Sequence, residues 1–116
     1  MATVHVQIEW PDGAPLPEDP CARVTVEDVT DLDAASTVVA ETVLEDLDPT
    51  AGPATTSLEV PEVDPASDLV VRVHVTQRDR RGGPVAVGDL LSMQADPVLT
   101  RGHGATVVVR PRVVGG

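Results

Sequence analysis

The amino-acid sequence predicts an all-β protein, an antiparallel β-sandwich of about seven to nine short strands. Segments in which apolar and polar residues alternate recur along the chain, and in a strand successive side chains point to opposite faces of a sheet. Valine dominates the apolar residues, and its branched side chain is stiff and favours pleated surfaces. Eleven prolines and nine glycines divide the chain into short pieces, which suits a fold of many strands and tight turns.

The clearest strand is Leu69 to Thr76, with the sequence LVVRVHVT, and we place it at the centre of a sheet. Its odd-numbered positions carry a leucine and three valines, which form a face that can join a core. The opposite face carries Arg72 and His74 and is therefore polar. The next segment, Gln77 to Pro84, is predicted to be the tip of a hairpin, where two consecutive glycines supply positive φ angles.

The other strands are placed by the same alternation and are separated by proline-rich, glycine-rich or acidic loops. In segment 37–44 a helix competes, but the β-branched residues favour a strand. Trp10 is the only aromatic residue, and we expect it in the core. The pattern is typical of immunoglobulin-like or transthyretin-like sandwiches. The predicted strands are Thr3–Trp10, Ala22–Val29, Thr37–Leu44, Thr56–Val60, Val85–Ser92 (broken near Gly88) and Ala105–Val114, with a short edge piece at Pro97–Leu99.

The charge of the chain limits the classes of partner. Its 116 residues are expected to form a single domain, residues 1–116, in which nineteen acidic residues oppose eight arginines and the net charge is −11. This balance argues against nucleic acid and against an anionic membrane surface, and it favours solubility and a basic partner. The alternative is that the acidity reflects genome composition or salt adaptation. No membrane span and no secretory leader are recognised, so a cytoplasmic location is expected.

No catalytic, metal or cofactor site is predicted, and the protein is not expected to be an enzyme. The three histidines are scattered, and the acidic turn with Asp28, Asp31 and Asp33 lacks the spacing of a calcium loop. The single cysteine, Cys21, has acidic neighbours and no evident base. The chain contains neither a Gly-x-Ser-x-Gly elbow nor a glycine-rich phosphate loop before a helix.

Several short blocks resemble the YbaY/YscW family of small β-sandwich lipoproteins. The resemblance runs from about Val4 to Val109 and implies a sandwich without known catalytic residues. It also implies a role in binding other proteins, because some members of the family are pilotins that bind a secretin subunit and guide it to the outer membrane. The blocks that carry the resemblance are RVTVEDVTDLD at Arg23–Asp33, VVAE at Val38–Glu41, VRVHV at Val71–Val75, GDLLS at Gly88–Ser92 and PVLT at Pro97–Thr100.

We therefore predict a protein-interaction or chaperone-like module that binds an extended or hydrophobic peptide at an edge strand, at a polar face or between the sheets. The candidate site consists of the polar face of the central strand and the arginines at the hairpin tip. The tip arginines are positive and would attract acidic residues of a guest. The alternative for the tip is a solvated turn that discourages edge pairing. A small-ligand or carbohydrate-binding sandwich is the second functional class, disfavoured by the lone tryptophan. The sequence leaves a homo-oligomer open. The predicted partner-binding residues are Arg72, His74, Arg78, Arg80 and Arg81.

Overall fold

The computed structural model describes residues 1–13, 16–31 and 35–115. Within these residues the chain forms nine strands and no α-helix, so no helix is long and apolar enough to cross a membrane. Two single turns of 3-10 helix, Pro49–Ala51 and Arg78–Arg80, interrupt the loops. The strands are β1 (Ala2–Ile8), β2 (Pro20–Asp28), β3 (Thr37–Leu44), β4 (Ala54–Val60), β5 (Leu69–Gln77), β6 (Leu90–Leu91), β7 (Asp96–Pro97), β8 (Thr106–Val109) and β9 (Arg112–Val113).

The strands form two sheets, which confirms the predicted all-β class. The smaller sheet has the order β4-β1-β8, and the larger has the order β3-β2-β5-β6-β9, with β7 also paired to β5. The central position predicted for β5 is thus correct. One pair departs from the antiparallel prediction, because β1 and β8 run parallel, with His5 opposite Thr106 and Ile8 opposite Val109.

The core lies between the sheets and consists mainly of valine. Alternate residues of β1, β2 and β5 point inward, as the period of two requires. The larger sheet is tied together by the nine-residue antiparallel pairing of β2 with β5. The fully buried side chains include Val4, Val6, Ile8, Val24, Val26, Val71, Val73, Val75, Leu90, Val98 and Val109.

Trp10 is only partly buried and packs against the rim of the core, although a core position was predicted. Strand β1 ends at Ile8, so Trp10 lies beyond the part of the strand that the opposite sheet covers. Its indole Nε1 is shielded from solvent without a hydrogen-bond partner among the described residues.

Two predicted strands are shorter than the alternation suggested. Segment 105–114 is divided at Pro111 between β8 in the smaller sheet and β9 in the larger, because proline has no N–H for a ladder. Of segment 85–92 only Leu90 and Leu91 form a strand, since the chain turns at Gly88 with a φ of 91°. At the predicted hairpin tip, Gly82 has the expected positive φ, 80°, but Gly83 does not, so the prediction for the second glycine is wrong.

Ser92 fills a gap in the larger sheet between β6 and β7. Its N–H donates to the carbonyl of Val73 (2.9 Å), and its hydroxyl accepts from the N–H of Val73 (3.0 Å). Both residues are buried, so these two bonds replace the ladder partners that the break between β6 and β7 would leave missing.

Replacing Ser92 with alanine should lower the free energy of unfolding by about 1–3 kcal/mol, because the buried N–H of Val73 loses its acceptor. Chemical denaturation measures this change. Ser57→Ala is the matched control, since Ser57 is exposed on the outer face of β4 and should change stability by less than about 0.5 kcal/mol. Equal stabilities of the two variants would contradict the assignment.

Candidate interaction surface

Arg72 is held on the outer face of the larger sheet by a carboxylate. Its Nε lies 3.2 Å from Oε1 of Glu27, which is 8% exposed and also accepts hydrogen bonds from the hydroxyls of Thr25 and Ser36. The side chain of Arg72 remains about half exposed. The exposed part of its side chain can contact a partner, while the ion pair with Glu27 restricts its position.

His74 is held by Asp89, whose carboxylate has no exposed surface. The Nε2 atom of His74 lies 2.8 Å from the carboxylate, the N–H of Ala86 donates over 2.9 Å, and the hydroxyl of Thr76 donates over 3.0 Å. Arg80 approaches to 3.4 Å. Burial alone would raise the pKa of Asp89, but these donors outweigh it, so the pKa lies below its usual value.

The tip arginines each lie beside an acid of the same chain. Arg78 is 3.4 Å from Asp19 and 3.7 Å from Glu45, and Arg81 is also 3.7 Å from Glu45. Since Glu45 directly follows β3, the structure brings these two arginines to the end of an edge strand. The adjacent carboxylates offset their charge, so the local positive patch predicted for the tip is largely neutralised. A partner-binding role for the five predicted residues stays a prediction.

The segment that links β5 to β6, residues 78–89, is called the covering segment here. It brings Arg78 and Arg81 close to Cys21, which is fully buried on the outer side of β2 opposite Thr76. Burial raises the pKa of the Cys21 thiol, and nearby charges act in both directions, with Arg81 lowering the pKa and Glu45 raising it. The thiol is therefore protonated and inert at neutral pH.

Metal-binding residues do not gather in the part of the chain that the structure describes, where no group of three or more His, Cys, Asp or Glu side chains could hold an ion. Of the acidic turn, Asp28 accepts hydrogen bonds from Thr30, and Asp33 lies outside the described residues.

The outer edge of β3 carries backbone groups that point away from the larger sheet. Two hydrogen bonds just beyond the ends of β2 show which of its residues bond to β5. The N–H of Val29 donates to Asp68 and the N–H of Arg78 donates to Asp19, and both Val29 and Asp19 are odd-numbered. In the same register, the odd-numbered residues of β2 bond to β5. In an antiparallel ladder the alternate residues then bond to the other neighbour, β3. Val43, which lies opposite Arg23, must therefore direct its N–H and C=O outward.

The same rule applies to Glu41, which lies opposite Thr25. A bulge between Val26 and Glu27 then shifts the register, so that the outward position near the start of β3 falls on Val38, which is 43% exposed. Within the described ranges β3 pairs only with β2, so this eight-residue strand has a free edge.

Strand β4 presents a second free edge next to β3. His5 donates its N–H to Ala105 on the β8 side, so its opposite neighbour Ser57 directs its backbone groups away from β1. Partly buried apolar side chains lie at the margin of the core where β3 and β4 approach each other, namely Val39, Leu44, Leu47 and Ala54.

The outer face of the smaller sheet contains a concave region of about 430 Å³. Its polar lining consists of one imidazole, one amide and several hydroxyls, and it includes no ionised carboxylate or arginine. The lining residues are His5, Val6, Gln7, Thr55, Thr56, Ser57 and Thr106.

Comparison with known proteins identifies the family. A family model described as type III secretion system lipoprotein chaperone (YscW) matches residues 1–110. The chain belongs to the YscW family. The resemblance noted in the sequence is thereby confirmed, and the family is one of chaperones and not of enzymes.

A solved structure supports the fold of this YscW-family protein. It is described as an alternative pilotin from the type II secretion system of Vibrio cholerae, with a TM-score of 0.71 over 99% of this chain and 98% of that chain. The sequence identity is 15%, so the likeness concerns the fold. No curated protein matches the chain in sequence.

Sequence reasoning missed two features of this YscW-family protein. The buried Asp89 was not singled out, although a charged residue before the apolar pair Leu90–Leu91 is a signal that it must be held by donors. The free edge of β3 was not assigned, although a charged residue within an apolar strand, here Glu41, is typical of edge strands, where it discourages unwanted pairing.

Replacing Asp89 with asparagine should loosen the covering segment near Cys21, because His74 and Arg80 lose their shared carboxylate. We expect a loss of about 1–3 kcal/mol in unfolding free energy and a faster reaction of the Cys21 thiol with a disulfide reagent in the native protein. Asp64→Asn is the control, since Asp64 is exposed and makes one bond to a loop N–H. An unchanged thiol rate in Asp89→Asn would contradict this role.

Acid should weaken the wild-type protein through Asp89. Because its folded pKa is lowered, its contribution is complete above the ordinary aspartate pKa and is lost as pH falls through the folded value. Denaturation midpoints measured from pH 7 down to pH 3 should therefore fall less steeply for Asp89→Asn than for wild type. Parallel curves for the two proteins would show that Asp89 is not part of the acid response.

Proposed function

We propose that this protein is a non-catalytic chaperone that binds an extended segment of a partner protein as an additional strand on β3. The observation that carries the proposal is the free edge of β3, where Glu41 and Val43 direct unpaired backbone groups outward. Such an edge can pair with a guest strand through main-chain hydrogen bonds. Membership in a chaperone family agrees with this mode of binding.

The other described edges are less suited to a guest strand. Strand β9 has two residues, and β8 has four and lies close to β7. Strand β4 has seven residues, but the outward positions on it are Thr55, Ser57 and Glu59, whose polar side chains give a guest little apolar contact. Strand β3 offers two valines, Val38 and Val43, beside Glu41 at its outward positions.

The partner class is proposed from the relatives. The family is described as a secretion-system lipoprotein chaperone, and the similar solved structure is described as a pilotin. A secretin subunit is therefore the partner that we propose to test first.

The predicted binding residues divide into two groups in this proposal. Arg78 and Arg81 lie beside Glu45, the residue that directly follows β3, and can contact a guest there. Arg72 and His74 lie on β5, which β2 separates from β3. His74 and Arg80 contact Asp89 and so position the covering segment, whereas Arg72 is paired with Glu27 of β2.

A small-ligand site is the second candidate function. The observation that favours it is the concave region of about 430 Å³ on the smaller sheet, which is lined by His5, Gln7 and hydroxyl side chains and includes no carboxylate or arginine. Titration of neutral sugars, followed by NMR shifts of residues 5–7 and 55–57, would test this candidate separately.

Replacing Val43 with proline should weaken binding to the partner strongly. The N–H of Val43 points outward, so its loss removes no bond within the fold but leaves the guest without a donor. Overlapping peptides of the host's secretin supply the binding assay, and hydrogen exchange of β3 amides locates the site. Binding should fall by about tenfold or more.

Ser57→Pro is the matched control, because it removes an outward N–H from the neighbouring edge of β4. Wild-type affinity in Ser57→Pro together with loss in Val43→Pro is the expected result. Loss only in Ser57→Pro would move the site to β4, and unchanged binding in both would overturn strand addition. The mass of the free protein in solution must also be measured, since a dimer dissociated by Val43→Pro would identify a second copy as the guest.

A further inference from the structure

We propose that the guest of β3 is a basic, amphipathic strand, with apolar residues on one face and lysine or arginine on the other. This inference rests on the proposed function, since it specifies which chemistry the same edge selects. It follows from the charges that line the edge and from the direction of the side chains along β3.

The charge along the free edge is negative. Four acidic residues lie between positions 41 and 48, namely Glu41, Glu45, Asp46 and Asp48. Three arginines reach this stretch: Arg23 bonds to Glu41 at 2.7 Å, and Arg78 and Arg81 approach Glu45. Arg78 is also shared with Asp19, so the acids outnumber the arginines. An approaching guest therefore encounters a net negative field, in a chain whose total charge is −11.

Glu45 can accept a guest cation without losing its own contacts. Its carboxylate lies 3.7 Å from both Arg78 and Arg81, which is longer than a hydrogen bond, and it is 41% exposed. Asp46, the next residue, is exposed as well. These two carboxylates lie just beyond the last residue of β3, where the end of a paired guest strand would be.

The alternation of β3 gives the pattern of the guest. The outward backbone groups and the outer-face side chains belong to the same residues, Glu41 and Val43, which lie opposite the outer-face residues Thr25 and Arg23 of β2. Guest residues paired with them also project from the outer face. The guest residues between these project to the inner side, beside Ala40 and Leu44, which pack against the core. An apolar inner face and a basic outer face complement this surface.

Seven-residue peptides with capped ends test the proposal directly. In each peptide valine alternates with one variable residue, which is lysine, glutamate or serine. Amide shifts of residues 38–44 measured by NMR give both the location and the dissociation constant. At low salt we expect the lysine peptide to bind about tenfold more tightly than the glutamate peptide, with the difference shrinking as salt is added.

A pair of variants assigns the preference to the acids at the end of β3. Glu45→Gln with Asp46→Asn should remove most of the preference for lysine, and asparagine tolerates the positive φ of 55° at position 46. Glu62→Gln with Asp64→Asn is the control, since it removes the same charge beyond the opposite end of β4. The preference should survive in that control.

The outcomes separate this inference from the proposed function. Equal or tighter binding of the glutamate peptide at β3 would overturn the basic guest and leave strand addition intact. Equal loss of preference in both double variants would overturn the local role of Glu45 and Asp46. If no peptide shifts the amides of β3, strand addition at this edge fails, and the inference fails with it.

Discussion

The nine-residue pairing of β2 with β5 is the constraint on which the rest of the structure depends. Its inner side supplies the valines that meet β1. Its outer side places Glu27 beside Arg72 and Cys21 near Arg78 and Arg81. Because β2 uses its odd-numbered residues to bind β5, its even-numbered residues bind β3. The pairing of β2 with β5 thus determines which backbone groups of β3 point outward.

Polar groups on the outer face stabilise this arrangement without forming a reactive centre. Asp89 holds a histidine, an arginine, a threonine and a loop N–H together, so the segment between β5 and β6 is anchored to β5. The cost of burying a carboxylate is offset by these donors. The covering segment then delivers Arg78 and Arg81 to the margin of the sheet, where the chaperone-family protein has its free edge.

Most of the fold could be predicted from the sequence because strands of period two are local patterns. The bounds of β3 agree with the prediction, and β5 was placed centrally with its inner face identified. The parallel pairing of β8 could not be predicted, since alternation does not say which sheet a strand joins. Pro111 marked the break between β8 and β9, but the two halves were predicted as one strand.

The candidate site was less predictable, because it depends on contacts between distant segments. Arg72 and His74 were correctly placed on a polar face, yet their acidic partners come from a neighbouring strand and from a loop. Ion pairing between the tip arginines and Glu45 likewise depends on how two loops meet. Charge counted along the sequence therefore overstated the positive character of the tip.

The parallel pairing of β1 with β8 has a consequence for how the chain acquires its fold. Residues 5–8 meet residues 106–109, so about a hundred residues must be in place before the smaller sheet is complete. Closing so long a loop is entropically costly, and it comes after most of the chain has left the ribosome. Until then one side of β1, a strand of alternating valines, is open to other chains. During synthesis β1 can therefore pair wrongly with other chains until β8 has been made and has joined it.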